Sequence, residues 1–209
     1  EVVAYGLFVN QDMFDQYDLE LPETPEDLLE CCRVFQENGI ETPIGANRWW
    51  LENFVFAQAY ADLYNGGNTE AEIEALNSGE SKYSDYMRPG FEFLQELIDK
   101  GYIDAEKAYV SEAIEGEGPD FLAQKTPIVM AYWGAANAET SYGKPDFNLQ
   151  VIGFPSSRGQ MPVVSMTGFA VGAGAEHEED AIRTIDVMLS DEALQLYSET
   201  NKVISPSKN

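Results

Sequence analysis

Residues 2–9 form an apolar run rich in Val, Tyr and Phe, which predicts a buried strand. The run passes directly into Asn10-Gln-Asp-Met-Phe14, read as a short helix. Thr24, Pro25, Glu26 and Asp27 then make a helix start. The threonine oxygen can cap, proline suits the first turn, and the two carboxylates face the positive end of the helix dipole. Leu28, Cys32 and Phe35 follow on one face, and Gly39 marks the stop.

The pattern continues with a short strand over 42–45 and a helix over 50–64, with Phe54, Ala57 and Ala61 on one face. Asn65-Gly66-Gly67 ends that helix, and a small acidic helix follows over 69–77. Residues 84–100 place Phe91, Leu94, Leu97 and Ile98 at helical spacing, with Pro89 expected to start the main segment and Gly101 to end it. A short helix over 120–124 leads to a strand over 127–133, another short helix over 135–142, and strands over 149–154 and 163–171. Residues 176–189 are amphipathic through Ala181, Ile182, Ile185, Met188 and Leu189, and Asp191 is expected to cap a last helix to about Tyr197. Strands separated by helices predict an α/β fold, a mixed sheet with helices on both faces. No internal repeat or low-complexity linker interrupts it.

Composition narrows the function classes. The chain has 209 residues, 44% of them apolar, enough for a sizeable core. Lys+Arg number 12 against 37 Asp+Glu, a formal net charge of −25. Such a surface repels phosphate backbones and anionic lipid heads, so neither nucleic acid nor a membrane surface is an expected partner. No apolar run approaches the ~20 residues that span a bilayer. No signal peptide is visible, because the sequence opens inside a strand. Cys31 and Cys32 are neighbours on a predicted helix, where side chains diverge by about 100°, so core packing is expected rather than a disulfide.

Catalytic and cofactor motifs are missing. There is no G-x-x-x-x-G-K, Gly172-Ala-Gly174 lacks a third glycine, and His177-Glu178 lacks a second histidine. No G-x-S-x-G elbow occurs, and one histidine in a charged stretch makes a His-based triad implausible. No catalytic residue, metal site or cofactor is assigned. Carboxylates are numerous, and paired-carboxylate glycosidase chemistry stays open as an alternative.

The tryptophans carry the candidate binding chemistry. Trp49 and Trp50 stand at a loop-to-helix junction after Gly45-Ala-Asn-Arg48, and Trp133 ends a strand before Gly134-Ala-Ala-Asn137. Ligands of open α/β sheets bind outside the carboxyl ends of strands, which puts both places in cleft-lining positions. A flat indole meets an apolar ligand face, and the neighbouring Arg48, Glu52 and Asn137 supply hydrogen bonds.

The order "strand, Asn-x-Asp-x-Phe, Pro-x-Thr-Pro-Glu-Asp-Leu" at residues 2–28 resembles extracellular solute-binding proteins of sugar importers, the maltose-binding-protein-like superfamily. In that family it marks the crossing from the first lobe to the second. Phe121-Leu-Ala-Gln-Lys125-Thr-Pro-Ile-Val-Met130 resembles the family's F-x-x-G-K-x-A-M element, with Gln124, Pro127 and Ile128 at the Gly, Ala and Met places. The tryptophan that stacks on sugar in the family follows its glycine, whereas Trp133 precedes Gly134. Val164-Ser-Met-Thr-Gly168-Phe-Ala-Val171 is similar to the returning crossover strand, whose glycine turn faces ligand, and Glu178–Leu196 to the helices after it. Ser205-Pro206 resembles the step that follows.

The resemblance covers essentially the whole chain. It implies a periplasmic-binding-protein-like lobe over 1–160 and a return strand with first-lobe helices over 161–209, so the chain is expected to be a piece of a longer two-lobed protein. It further implies capture of a carbohydrate between lobes by Trp49, Trp50, Trp133, Arg48, Glu52, Asn137 and Gly168, without catalysis. ABC importer permease subunits are the implied partners, the protein a monomer, and its place extracytoplasmic, periplasmic or lipid-anchored. A carbohydrate-active hydrolase and a ligand sensor of the same fold are the alternatives.

Overall fold

The computed structural model describes residues 2–48, 51–110, 114–132, 145–166 and 168–201. Strand β1 (Val2–Asn10) opens the chain and helix α1 (Gln11–Gln16) follows without a break. Asn10 serves both elements: its side-chain oxygen accepts from the Met13 N–H at 3.2 Å and caps α1. Helix α2 (Pro25–Glu37) begins in a capping box. The Thr24 hydroxyl accepts from the Asp27 N–H at 3.2 Å, and the Asp27 carboxylate accepts from the Thr24 N–H at 2.9 Å.

Strand β2 (Ile44–Gly45) is followed by α3 (Glu52–Leu63), α4 (Thr69–Ser78), α5 (Tyr83–Asp99), α6 (Ala105–Val110) and α7 (Ile114–Leu122). The chain then runs through β3 (Ile128–Tyr132), β4 (Leu149–Ile152), β5 (Phe154–Ser156), β6 (Gly159–Met161) and β7 (Val163–Met166). Helices α8 (Glu178–Met188) and α9 (Asp191–Asn201) end the described chain.

The main sheet has the order β2-β3-β1-β4, with β7 also paired to β1. β2 and β3 are parallel, while β1 runs antiparallel to β3, β4 and β7. β4 takes the second half of one side of β1 (Leu7↔Ile152), and β7 takes the first half (Val2↔Met166). β5 and β6 form a separate hairpin.

The alternation of side chains along the strands builds two cores, one per face. Leu7 and Val9 of β1, Ile44, Ile128 and Met130 pack with Leu28, Phe35, Phe54 and Leu97 from α2, α3 and α5. On the opposite face Phe8 and Val129 pack with Phe121 of α7 and Phe147. Phe121 and Phe147 meet edge to face at 5.1 Å. The mixed sheet with helices on both faces is therefore present, and no described helix is long and apolar enough to cross a membrane.

Several expected elements differ in detail. Pro89 lies inside α5 instead of starting it. It sits on the exposed face with Asp85, where water can satisfy the carbonyl that proline leaves without a donor. The buried face of α5 is Gly90, Phe93 and Leu97, and Phe91 is 58% exposed. Asp120 falls near the end of α7 rather than at its start, and α6 has no counterpart in the sequence reading. The strand expected over 149–154 breaks at Gly153 into β4 and β5, because a side chain there would meet the Met161 backbone at 2.7 Å. β7 stops at Met166, short of the expected 171. Ser190, not Asp191, caps α9 by accepting from the Ala193 N–H at 3.3 Å. The helix expected over 135–142 lies outside the described residues.

Candidate functional site

The strand directions bring one end of the sheet into focus. β2, β3 and β7 all finish toward the end where β1 begins, since Tyr5 faces both Tyr132 and Val163 and Val2 faces Met166. β4 points the same way. This is the carboxyl end of the sheet, where loops leave the strands and ligands of α/β folds bind. From β2 through β3 and β1 to β7 there are three steps between strands, roughly 14 Å at the usual strand spacing.

Three of the residues expected at the site are placed. Past Gly45 the chain dips through the buried Ala46 and Asn47 and rises to the exposed Arg48, whose N–H donates to the Ala108 carbonyl at 2.9 Å. Glu52 opens α3 and is exposed. Gly168 is exposed two residues beyond β7, with open space where a side chain would stand. Arg48 and Glu52 are thus at the β2 flank of the carboxyl end, and Gly168 is at the β7 flank. Trp49, Trp50, Trp133 and Asn137 lie outside the described residues.

A cavity of about 550 Å³ lies along β2, lined mainly by residues that lead into β2 and β3 at the opposite, amino end of these strands. Thr42, Gly45, Lys107, Asp120 and Lys125 line it, and Arg48, Glu52 and Gly168 do not. Asp120 pairs with Lys107 at 2.5 Å and with Lys125 at 3.5 Å. The Lys107 hydrogen bond and the two positive charges hold its carboxyl below the usual carboxylate range. These pairs tie α7 to α6, so the cavity reads as a structural seam apart from the site.

Sequence reasoning missed α6, which borders the site. Its signal was present in Asp104, which caps the helix by accepting from the Lys107 N–H at 2.9 Å.

The family model described as bacterial extracellular solute-binding protein matches residues 1–195. No curated protein matches the sequence. Among solved structures, the apo form of RafE from Streptococcus pneumoniae superposes with a TM-score of 0.65 at 19% identity, over 100% of this chain and 54% of that one. A family 1 extracellular solute-binding protein from Bifidobacterium longum subsp. infantis gives a TM-score of 0.73 at 16% identity, over 99% and 54%. A Bacillus licheniformis sugar transporter in complex with stachyose gives 0.65 at 20% identity, over 95% and 53%. The chain spans about half the length of these structures, and at such identities they establish the fold. With a family match over residues 1–195 of 209 and a mixed sheet in which β2, β3, β4 and β7 finish at one end, the chain belongs to the bacterial extracellular solute-binding proteins.

Proposed function

We propose that this chain supplies the second lobe of an extracytoplasmic capture protein for an ABC importer, and that its ligand is an oligosaccharide. The observation that carries the reading is the gathering of the carboxyl ends of β2, β3 and β7 at one end of the sheet, in a chain of this family. Residues 1–160 form the lobe, and 161–209 form the return strand and helices that pack on the first lobe. Trp49, Trp50 and Trp133 stack on sugar rings, while Arg48, Glu52, Asn137 and the backbone at Gly168 bond the hydroxyls. The span of roughly 14 Å suits several six-membered rings better than one. RafE has been seen with raffinose and the B. licheniformis protein with stachyose, which supports a ligand of this class. The protein captures and releases without catalysis, as a monomer outside the cytoplasm, and hands its ligand to permease subunits.

The test is a thermal-shift screen of the two-lobed protein against mono- and oligosaccharides, with a parallel assay for product. A ligand at about 100 times its dissociation constant adds roughly 2.7 kcal/mol of stability. A shift with one glycan class and no product supports capture. Release of reducing sugar would replace it with the hydrolase reading, and no shift with any glycan would remove the sugar assignment.

A further inference from the structure

We propose that Asn65 is a site of spontaneous covalent modification in the folded protein: ring closure with Gly66, followed by hydrolysis, converts it to aspartate and isoaspartate. The site lies in the turn between α3 and α4 and is independent of ligand capture.

The chain contains two asparagine–glycine pairs, Asn38-Gly39 and Asn65-Gly66. In such a pair the glycine backbone nitrogen attacks the carbonyl carbon of the asparagine side chain. The new N–C bond closes a five-membered imide, the carbon–NH2 bond breaks, and the amide group leaves with the backbone proton as ammonia. Water then opens the ring at either carbonyl, giving aspartate or an isoaspartate whose backbone runs through the side chain. Water is the only co-reactant. Glycine favours the attack because no Cβ crowds its nitrogen. The step needs an N–H that can lose its proton and a side-chain amide that can swing toward it, so hydrogen bonds on either group oppose it.

The structure separates the two pairs by those bonds. Both asparagines are exposed, so access of water does not distinguish them. Asn38 is the C-cap of α2: its Nδ2 donates to the Val34 carbonyl at 2.9 Å, and the Gly39 N–H donates to the Gln36 carbonyl at 3.0 Å. Nucleophile and electrophile are both held. The Asn65 Nδ2 has only the Tyr60 carbonyl at 3.4 Å, beyond the usual range, and the Met161 thioether at 3.6 Å, a weak acceptor. Among the described residues the Gly66 N–H has no hydrogen-bond partner. The fold also keeps the reactive neighbour in place, since a Cβ at Gly66 would stand 2.6 Å from the Asp62 carbonyl oxygen. The product carboxylate adds a negative charge beside the Arg158–Asp62 pair, and isoaspartate lengthens the backbone that carries α4, a helix with no buried residue.

The experiment ages the two-lobed protein in warm, mildly alkaline buffer, folded and in parallel unfolded in urea. Peptides containing Asn38 and Asn65 are followed by mass spectrometry, with fragmentation that separates aspartate from isoaspartate. The urea rates give the intrinsic reactivity of each pair. Folding should slow conversion at Asn38 at least about tenfold more than at Asn65, because Asn38 must first open its helix cap. The rate at Asn65 should rise with pH, as the attacking nitrogen has to lose its proton. Asn65→Gln, whose extra methylene disfavours ring closure, should remove most of the isoaspartate that the folded protein accumulates, while Asn38→Gln should remove little, each variant being checked for an unchanged melting temperature. Equal slowing of the two pairs by folding, or stronger slowing at Asn65, would overturn the proposal. Isoaspartate that persists undiminished in Asn65→Gln would place the reaction elsewhere and overturn it as well.

Discussion

Asp27 ties the start of α2 to acid stability. It accepts from the Thr24 and Glu23 N–H groups, and its own N–H donates to the Thr24 hydroxyl. These bonds, those with Thr24 foremost, lower its pKa from the ordinary value of 3.8. A carboxylate with a lowered folded pKa stabilises the fold above its ordinary value, and the contribution fades as pH falls through the lowered one. Thr24→Ala should cost about 1 kcal/mol at neutral pH. Asp27→Asn should lower the urea midpoint at pH 7, with the gap to wild type closing as both are titrated down from the ordinary value of 3.8 through the lowered one. Comparing variant with wild type cancels most of the change in repulsion among the other acidic groups. The adjacent cysteines make a second residue-scale expectation. Both are buried and free, and burial raises the Cys31 pKa to about 12 and pushes Cys32 well up as well. A thiolate is the reactive form, so a thiol reagent at pH 8 should label neither residue in the native protein and both after unfolding. These features were legible in the sequence because they are local: a cap, a proline at the first turn, and cysteines on the apolar stripe of one helix.

The pairing of α3 with α5 depends on Gly90. A Cβ there would stand 2.6 Å from both the Cα and the carbonyl oxygen of Val55, which is backbone and cannot swing aside. Gly90→Ala should therefore separate the two helices and cost about 1–3 kcal/mol. The better helix propensity of alanine returns only about 1 kcal/mol, so the melting temperature should fall. Gly168→Ala is the control: it faces open space, and stability should stay within about 0.5 kcal/mol. The sequence placed α5 but misjudged its inward side. Leu94, Leu97 and Ile98 have the right spacing with Phe91, yet the helix rolls so that Gly90 meets α3 and Phe91 is left outside. A glycine chosen for close approach carries no hydrophobic signal, so periodicity alone selects the bulky neighbour. The same reason explains Gly153, where a stretch that reads as one strand is divided by the close approach of the Met161 backbone from the neighbouring strand β6.

At the scale of the molecule, the site was legible only as far as strand ends are local. The segments after β2, β3 and β7 could be named from the sequence, but their convergence depends on β1 pairing with β3 on one side and β7 on the other. The flank supplied by α6 depends on two backbone bonds between distant segments, and no periodicity announces it. The last two helices carry the remaining whole-molecule question. α8 has no buried residue, and Val187 and Leu196 are 69% and 65% exposed. Ile182, Met188 and Leu189 are exposed as well, on a helix whose polar residues are mainly acidic. An amphipathic helix pair gains most of its stability from the surface that covers its apolar face. The proposed covering surface is the first lobe, since the relatives extend well beyond the half that this chain spans. Hydrogen exchange of the 209-residue chain and of the two-lobed protein distinguishes the outcomes. With the first lobe present, amides of α8 and α9 should slow by orders of magnitude, while those of β1 and β3 keep the protection they already have. Equal, fast exchange of α8 and α9 in both would show that the first lobe does not cover them, and would move the domain boundary away from residue 161.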